Sequence, residues 1–309
     1  MNEAPRFLVV RCLVHEARAR WQDGTASCGV GRALQGTGFE MLLHWLRALR
    51  AVASREIVKF AQQRGRLLSG LVRPLLWLVV FGAGFQNVFG VSIIPPYTTY
   101  ITYQVYLVPG LVGIVLLFNG MLSSLAMVYD REMGVMRLLL TAPLPRWSLL
   151  LCKLIAGATL SVAQAYVFLI ACIPFDVTFE PLHWLTAFPA IYAGALMLAA
   201  TGLLLSVYVR QMENFAGAMN FVIFPMFFIS SALYPLWKLR ESGADYVWFA
   251  AVINPFTSVV ELIRHALYGG FEPTSAAVVV LTSLLFFFLS VLGYDPQGRL
   301  IRQARPQPA

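Results

Sequence analysis

Six stretches of this chain run for about 20 residues or more with almost no charge: 71–91, 107–128, 149–172, 184–208, 216–236 and 275–294. About 20 apolar residues in a helix match the hydrocarbon core of a bilayer. In lipid the backbone must satisfy its own hydrogen bonds, which leaves helices or closed barrels. Barrel strands would read as short alternating segments, and these runs are continuous. The pattern predicts an all-α integral membrane protein with six transmembrane helices. Composition agrees: 59% hydrophobic and 12% charged residues, against roughly 45–50% and 25% in soluble domains, is more apolar surface than one core can hide. Phe7 to Val10 is too short for a signal-peptide core and Glu3 stands where a basic start belongs, so the first span is expected to serve as the insertion signal.

A formal charge of +8 could point to nucleic acid in a soluble protein, but its placement here is topological. Residues 1–73 hold twelve Lys+Arg, 129–153 four, 209–215 one and 295–309 three; the alternate connections hold three, all within 237–274. Twenty against three predicts cytoplasmic termini and no nucleic-acid partner. Cys12, Cys28, Cys152 and Cys172 form no metal-ligand spacing and are expected to be small packing residues.

The connections differ in character. Residues 1–40 are glycine-interrupted and without an apolar face, which predicts a poorly ordered cytoplasmic tail, as does 295–309. Within 41–69, Leu42, Trp45, Leu46, Leu49, Val52, Ile57 and Phe60 recur at helical steps, with Arg47, Arg50, Arg55, Lys59 and Arg66 largely on the other side. That pattern predicts an amphipathic helix lying in the cytoplasmic interface. The 129–148 connection is longer than a helical hairpin needs. Asp130 and Glu132 are expected to open a short helix there, with acids at the positive end of its dipole. Gly134 is expected to allow close approach, and Pro143 and Pro145 to stiffen the return to the membrane. On the far side, 237–274 carries an amphipathic aromatic stretch, Tyr246 to Val252. After Asn254-Pro255 comes a helix from Thr257 that ends at Gly269-Gly270. Thr257 or Ser258 is expected to cap that helix, with Glu261 closing a capping box if Ser258 is the cap. Glu261 and His265 share a face four residues apart, as a hydrogen-bonded surface rather than a metal site, because no third ligand is evident.

The chain shows no G-x-x-x-x-G-K-[ST], H-E-x-x-H or G-x-S-x-G motif, and its spans hold almost no ionisable groups. Asn119, Gln164 and Asn220 are the polar exceptions, fit either to line a pathway or to hydrogen-bond between helices. Aromatics such as Trp77, Phe81, Phe118, Phe221, Phe224 and Phe228 suit an amphiphile path or a lipid-facing surface. The chain reads as a pathway or docking subunit whose energy comes from elsewhere.

The segment Met127-Val-Tyr-Asp-Arg-Glu-Met-Gly-Val-Met-Arg-Leu-Leu-Leu-Thr-Ala-Pro-Leu-Pro-Arg-Trp147, with Ile253-Asn-Pro-Phe-Thr, Val260-Glu-Leu-Ile-Arg-His-Ala-Leu-Tyr-Gly and the 213–237 stretch, resembles the type-2 ABC exporter permeases. These are the membrane subunits of polysaccharide, nodulation-factor and drug exporters. The resemblance covers about 41–294. It implies a six-span permease domain over 70–294, with a coupling helix at 129–148 and an outer re-entrant region at 237–274. It also implies a bacterial cytoplasmic membrane and a permease homodimer or close heterodimer with its path along the dimer interface. A separate ATP-binding subunit would bind ATP and Mg, with no cofactor or catalytic residue in this chain. Carried over as coupling contacts are Asp130, Arg131, Glu132, Gly134, Arg137, Pro143, Pro145 and Arg146; Asn254, Pro255, Glu261 and His265 fall in the outer gate. Two other classes stay open from the residues: an integral-membrane enzyme acting on a lipid-linked substrate through Glu261 and His265, and a purely structural membrane partner.

Overall fold

The computed structural model describes residues 47, 50, 54, 64–89, 102–134, 146–175, 177, 180–209, 211–241 and 243–294. The chain divides into two compact units, 1–51 and 52–309. In the first, Arg47 and Arg50 are helical and exposed; the 1–40 and 295–309 tails and most of the expected interfacial helix lie outside the described residues. In the second, all regular elements among the described residues are helical: α1 (Arg64–Phe89), α2 (Tyr103–Glu132), α3 (Arg146–Cys172, continued by a 3-10 turn, Ile173–Phe175), α4 (Pro181–Tyr208), α5 (Met212–Phe228), α6 (Leu236–Glu241), α7 (Asp245–Ile253), α8 (Pro255–Leu267) and α9 (Pro273–Gly293).

Four of these, α2, α3, α4 and α9, are long and apolar enough to cross a membrane. A fifth crossing results if the bent pair α7 and α8 counts as one. The other two expected spans look different. Helix α1 is 26 residues long, but its strongly apolar run is confined to Gly70–Gly82. Residues 64–69, expected in the interfacial helix, form its first turns. Helix α5 stops after 17 residues, so the 216–236 window is not one helix; Ile229 to Tyr234 turn instead.

The bundle is built around α2, which packs on α1, α3, α4, α5 and α8. Of its 30 residues, 20 are buried, so it is a core helix. The α2–α4 crossing is close because Gly120 faces the Leu198–Ala199 backbone and Gly202 faces the Gly120 carbonyl; a Cβ on either would lie about 3 Å or less from main-chain or side-chain atoms. Without a hydrophobic drive between helices in lipid, such backbone proximity and dispersion supply the association. Helix α9 is the opposite case, with only Ser275, Val279 and Ser290 buried, and it lies along α4 and α8. Cys152 and Cys172 are buried thiols, in keeping with a packing role.

Candidate functional site

Three successive residues at the end of α2 reach three different helices. Consecutive helical positions diverge by about 100°, so neighbours in sequence fan out. Asp130, buried, accepts from Lys153 Nζ of α3 at 2.9 Å. Arg131 donates to the Ser206 and Val209 carbonyls at 3.0 and 2.8 Å, groups that the end of α4 leaves without helical partners. Glu132 accepts from the Met212 amide at 2.9 Å. The N-cap of α5, Gln211, makes no side-chain cap of its own, so Glu132 supplies the missing acceptor and its charge meets the positive end of that helix.

This arrangement corrects one expectation. Asp130 and Glu132 do not open a short helix; they close a 30-residue one. Acids at a helix C-terminus oppose its dipole, and here Lys153 and the start of α5 offset that cost. Gly134 has no described atom within 4 Å of a Cβ built on it. Its φ of 72° ends α2 in the left-handed conformation that glycine adopts most easily, with its amide donating to the Arg131 carbonyl at 3.2 Å. Arg137, Pro143 and Pro145 lie outside the described residues, and Arg146 begins α3.

At the opposite end, α7 and α8 meet at a 73° bend. Asn254 makes that corner. Its Oδ1 accepts from the Phe256 amide at 3.0 Å, while Nδ2 donates to the Met226 and Ile229 carbonyls at 2.7 and 2.5 Å. Pro255 occupies the first helical position, where its missing N–H costs nothing. Asn254, not Thr257 or Ser258, is therefore the cap of α8. Thr257 instead donates to the Ala251 carbonyl of α7 at 2.6 Å, and Glu261 pairs with Arg264 at 2.5 Å rather than closing a capping box.

Arg264 is the residue the sequence hid. It is 2% exposed, lies 4.1 Å from the Tyr106 ring centre and donates to the Ser231 carbonyl at 2.9 Å. Tyr106 donates to the same carbonyl and Tyr103 to that of Leu233, both at 2.8 Å. The turn after α5 is buried at Ser230, Ser231 and Ala232, and non-helical backbone at such depth persists only where protein groups satisfy it. Arg264 and the two tyrosines do so. The third ligand missing from the sequence also emerges here: Glu272 brings a carboxylate within 4.8 Å of the ligand atoms of Glu261 and His265. Glu272 is the N-cap of α9 and accepts from Thr274 and Ser275, while His265 Nδ1 lies 2.9 Å from the Glu261 carbonyl.

The polar residues inside the helices divide. Asn119 donates to the Val115 carbonyl of its own helix at 2.9 Å, not across helices. The Gln164 amide on α3 packs directly against Gly70 of α1. Asn220 is exposed. Arg73, counted above with the flanking charges, sits within α1 with its guanidinium 4.2 Å from the Phe118 ring centre, halfway along α2. Trp77 packs on Phe81, Phe227 and Phe228, and Phe221 is exposed.

A central buried helix, apolar spans around it and a broken helical pair before the last span define a multi-pass membrane protein without a nucleotide-binding motif. The chain belongs to the ABC-2 type transporter family, whose profile matches residues 47–268, and is a membrane permease of an ABC transporter. It is similar to proteins named transport permease ycf38: 25% identical over 223 residues in Cyanophora paradoxa and 28% over 227 in Pyropia yezoensis. Each match covers 71% of this chain and 74% of the relative.

Proposed function

We propose that this chain is the export permease of a two-component pump, moved by ATP hydrolysis in a separate subunit that docks at the Asp130 end. The observation that carries the reading is the Asp130–Arg131–Glu132 fan, which joins the termini of α2, α3, α4 and α5 immediately before residues 135–145. A push on that connection reaches four helices through an ion pair, two carbonyl bonds and a helix cap. In this reading α1 to α5 and α9 are the six spans, and the Asp130 end is cytoplasmic because it adjoins the lysine- and arginine-rich connections. Helices α7 and α8 form the outer closure, and two permease subunits, alike or closely related, line the path between them. Asp130, Arg131 and Glu132 then act as transmitting residues inside the permease, while Arg137, Pro143, Pro145 and Arg146 are left to meet the partner.

The test is co-purification with a Walker-motif ATPase and assay of its stimulated activity in proteoliposomes. Glu132→Lys combined with Arg137→Glu should abolish stimulation. Retention of both assembly and stimulation would overturn the proposal. The lipid-enzyme alternative loses ground at Glu261, whose carboxylate is taken by buried Arg264.

A further inference from the structure

Arg73 occupies a position that the packing of α1 makes costly. Gly82 of α1 lies against Gln104 at one end of α2, and Arg73 is nine residues below it, about 14 Å along the helix axis. Its ring partner Phe118 lies about 18 Å along α2 from Asp130 at the charged end, and Gly70, one turn away, abuts Gln164 about 16 Å along α3 from Lys153. Given the six-span reading proposed above, on which this inference rests, these positions bracket the middle of a hydrocarbon core about 30 Å thick. An ionised arginine there costs several kcal/mol unless it is paired or faces a polar cavity.

Among the described residues Arg73 pairs with no carboxylate. The described acids, Asp130, Glu132, Glu180, Glu213, Glu241, Asp245, Glu261 and Glu272, all lie at helix ends, in connections or in the α6–α8 region. Beside the guanidinium is a cavity of about 60 Å³ lined by Gly70, Pro74, Val115, Phe118 and Asn119, several times the roughly 10–15 Å³ that one water needs. Gly70 and Pro74 keep its wall low, the Phe118 face fixes the cation from one side, and Asn119 brings an amide to the rim. The same helix presents exposed Val72, Leu76, Val79 and Val80. A cation with a small cavity next to an open aliphatic strip fits a ligand that is anionic at one end and hydrocarbon at the other.

We propose that Arg73 and the cavity at Asn119 bind the phosphate or carboxylate head of an anionic amphiphile, whose chains lie along Val72, Leu76, Val79 and Val80. The planar guanidinium can meet such a head with two parallel hydrogen bonds, with the Phe118 ring centre 4.2 Å from its carbon. Ligand and pathway then coincide: α1 and α2 carry an anionic amphiphile through the apolar interior by giving its head one counter-charge there.

The experiment uses the full chain in mixed micelles with equimolar phosphatidylglycerol and phosphatidylcholine, with retained lipid read by native mass spectrometry. The wild-type chain should retain phosphatidylglycerol about tenfold over phosphatidylcholine, the scale of one charge-assisted hydrogen-bonded contact. Arg73→Gln should abolish that preference, and Arg73→Lys, which keeps the charge but not the fork, should leave part of it. Arg240→Gln, which removes the same charge elsewhere, should change nothing. Equal loss in the Arg73 and Arg240 variants would reduce the effect to net charge and overturn the site, as would an undiminished preference in Arg73→Gln. If Arg73→Gln does not fold, Arg73→Lys decides, and a wild-type preference there rejects the two-bond contact. Decyl phosphate should displace the lipid while equal inorganic phosphate does not; equal displacement would show that a free anion suffices and overturn the amphiphile. Because no ATPase is present, failure here leaves the coupling proposal standing, and failure of coupling leaves this binding result readable.

Discussion

Both ends of the bundle carry helix-terminal peptide groups that the helices themselves leave unsatisfied, and the two ends satisfy them differently. At the Asp130 end Arg131 and Glu132 serve such groups on α4 and α5, while Asp130 beside them pairs with Lys153 of α3, and of the three only Glu132 is exposed. At the Glu261 end the demand is concentrated: a buried turn from Ser230 to Leu233 receives Arg264, Tyr103 and Tyr106 from two helices. The first design distributes a push among helices. The second holds one irregular segment rigid, and its removal should be felt as loss of structure before loss of signal.

That contrast can be broken by substitution. Arg264→Ala should be the most damaging change, about 3–5 kcal/mol, because it removes the counter-charge of Glu261 and one of the two donors to the buried Ser231 carbonyl. Thermal unfolding in detergent should show the largest fall in Tm of any variant here. Asp130→Ala should cost about 1.5–3 kcal/mol, the scale of a hydrogen bond between charged groups, and exchanging the pair as Asp130→Lys with Lys153→Asp should recover part of it in a double-mutant cycle. Glu132→Ala should cost about 1 kcal/mol, as expected of a lost cap, yet reduce stimulated ATPase activity more than its Tm suggests. Gly134→Ala should be mildest, about 1 kcal/mol or less for a left-handed alanine. If Glu132→Ala lowered Tm as far as Arg264→Ala, the distinction between a distributing end and a rigid one would fail.

Continuous hydropathy was enough to find α2, α3, α4 and α9, because nothing in those helices competes with the apolar run. It failed at α5, where Ile229 to Tyr234 carry no charge but turn, since the hydroxyls of Tyr103 and Tyr106 and the Arg264 guanidinium that hold the turn lie more than 30 residues away in sequence. It failed at Asp130 for a related reason. An acid after an apolar run reads as the exit from the membrane and the start of something new, and only the position of Lys153 shows that α2 continues through it. In sequence Asn254-Pro255 reads as the stretch before a helix starting at Thr257, which puts the cap at Thr257 or Ser258, whereas the helix starts at Pro255 and Asn254 caps it. Glu272 escaped notice beside Glu261 and His265 because it reaches them across the Gly269 turn, whose φ of 76° folds the chain back. That Asp130, Arg131 and Glu132 reach α3, α4 and α5 was not legible in the sequence, because those partners lie 23 to 80 residues further along the chain.

Asn254 also bears on how this protein ages. An asparagine side chain is lost when the amide nitrogen of the next residue attacks its carbonyl, leaving an acid behind. Here that acid would turn the donor facing the Met226 and Ile229 carbonyls into another acceptor, and the corner between α7 and α8 would repel what it now holds. The next residue is Pro255, which has no N–H to give. The proline that starts α8 thus also removes the nucleophile that deamidation of this corner amide would need.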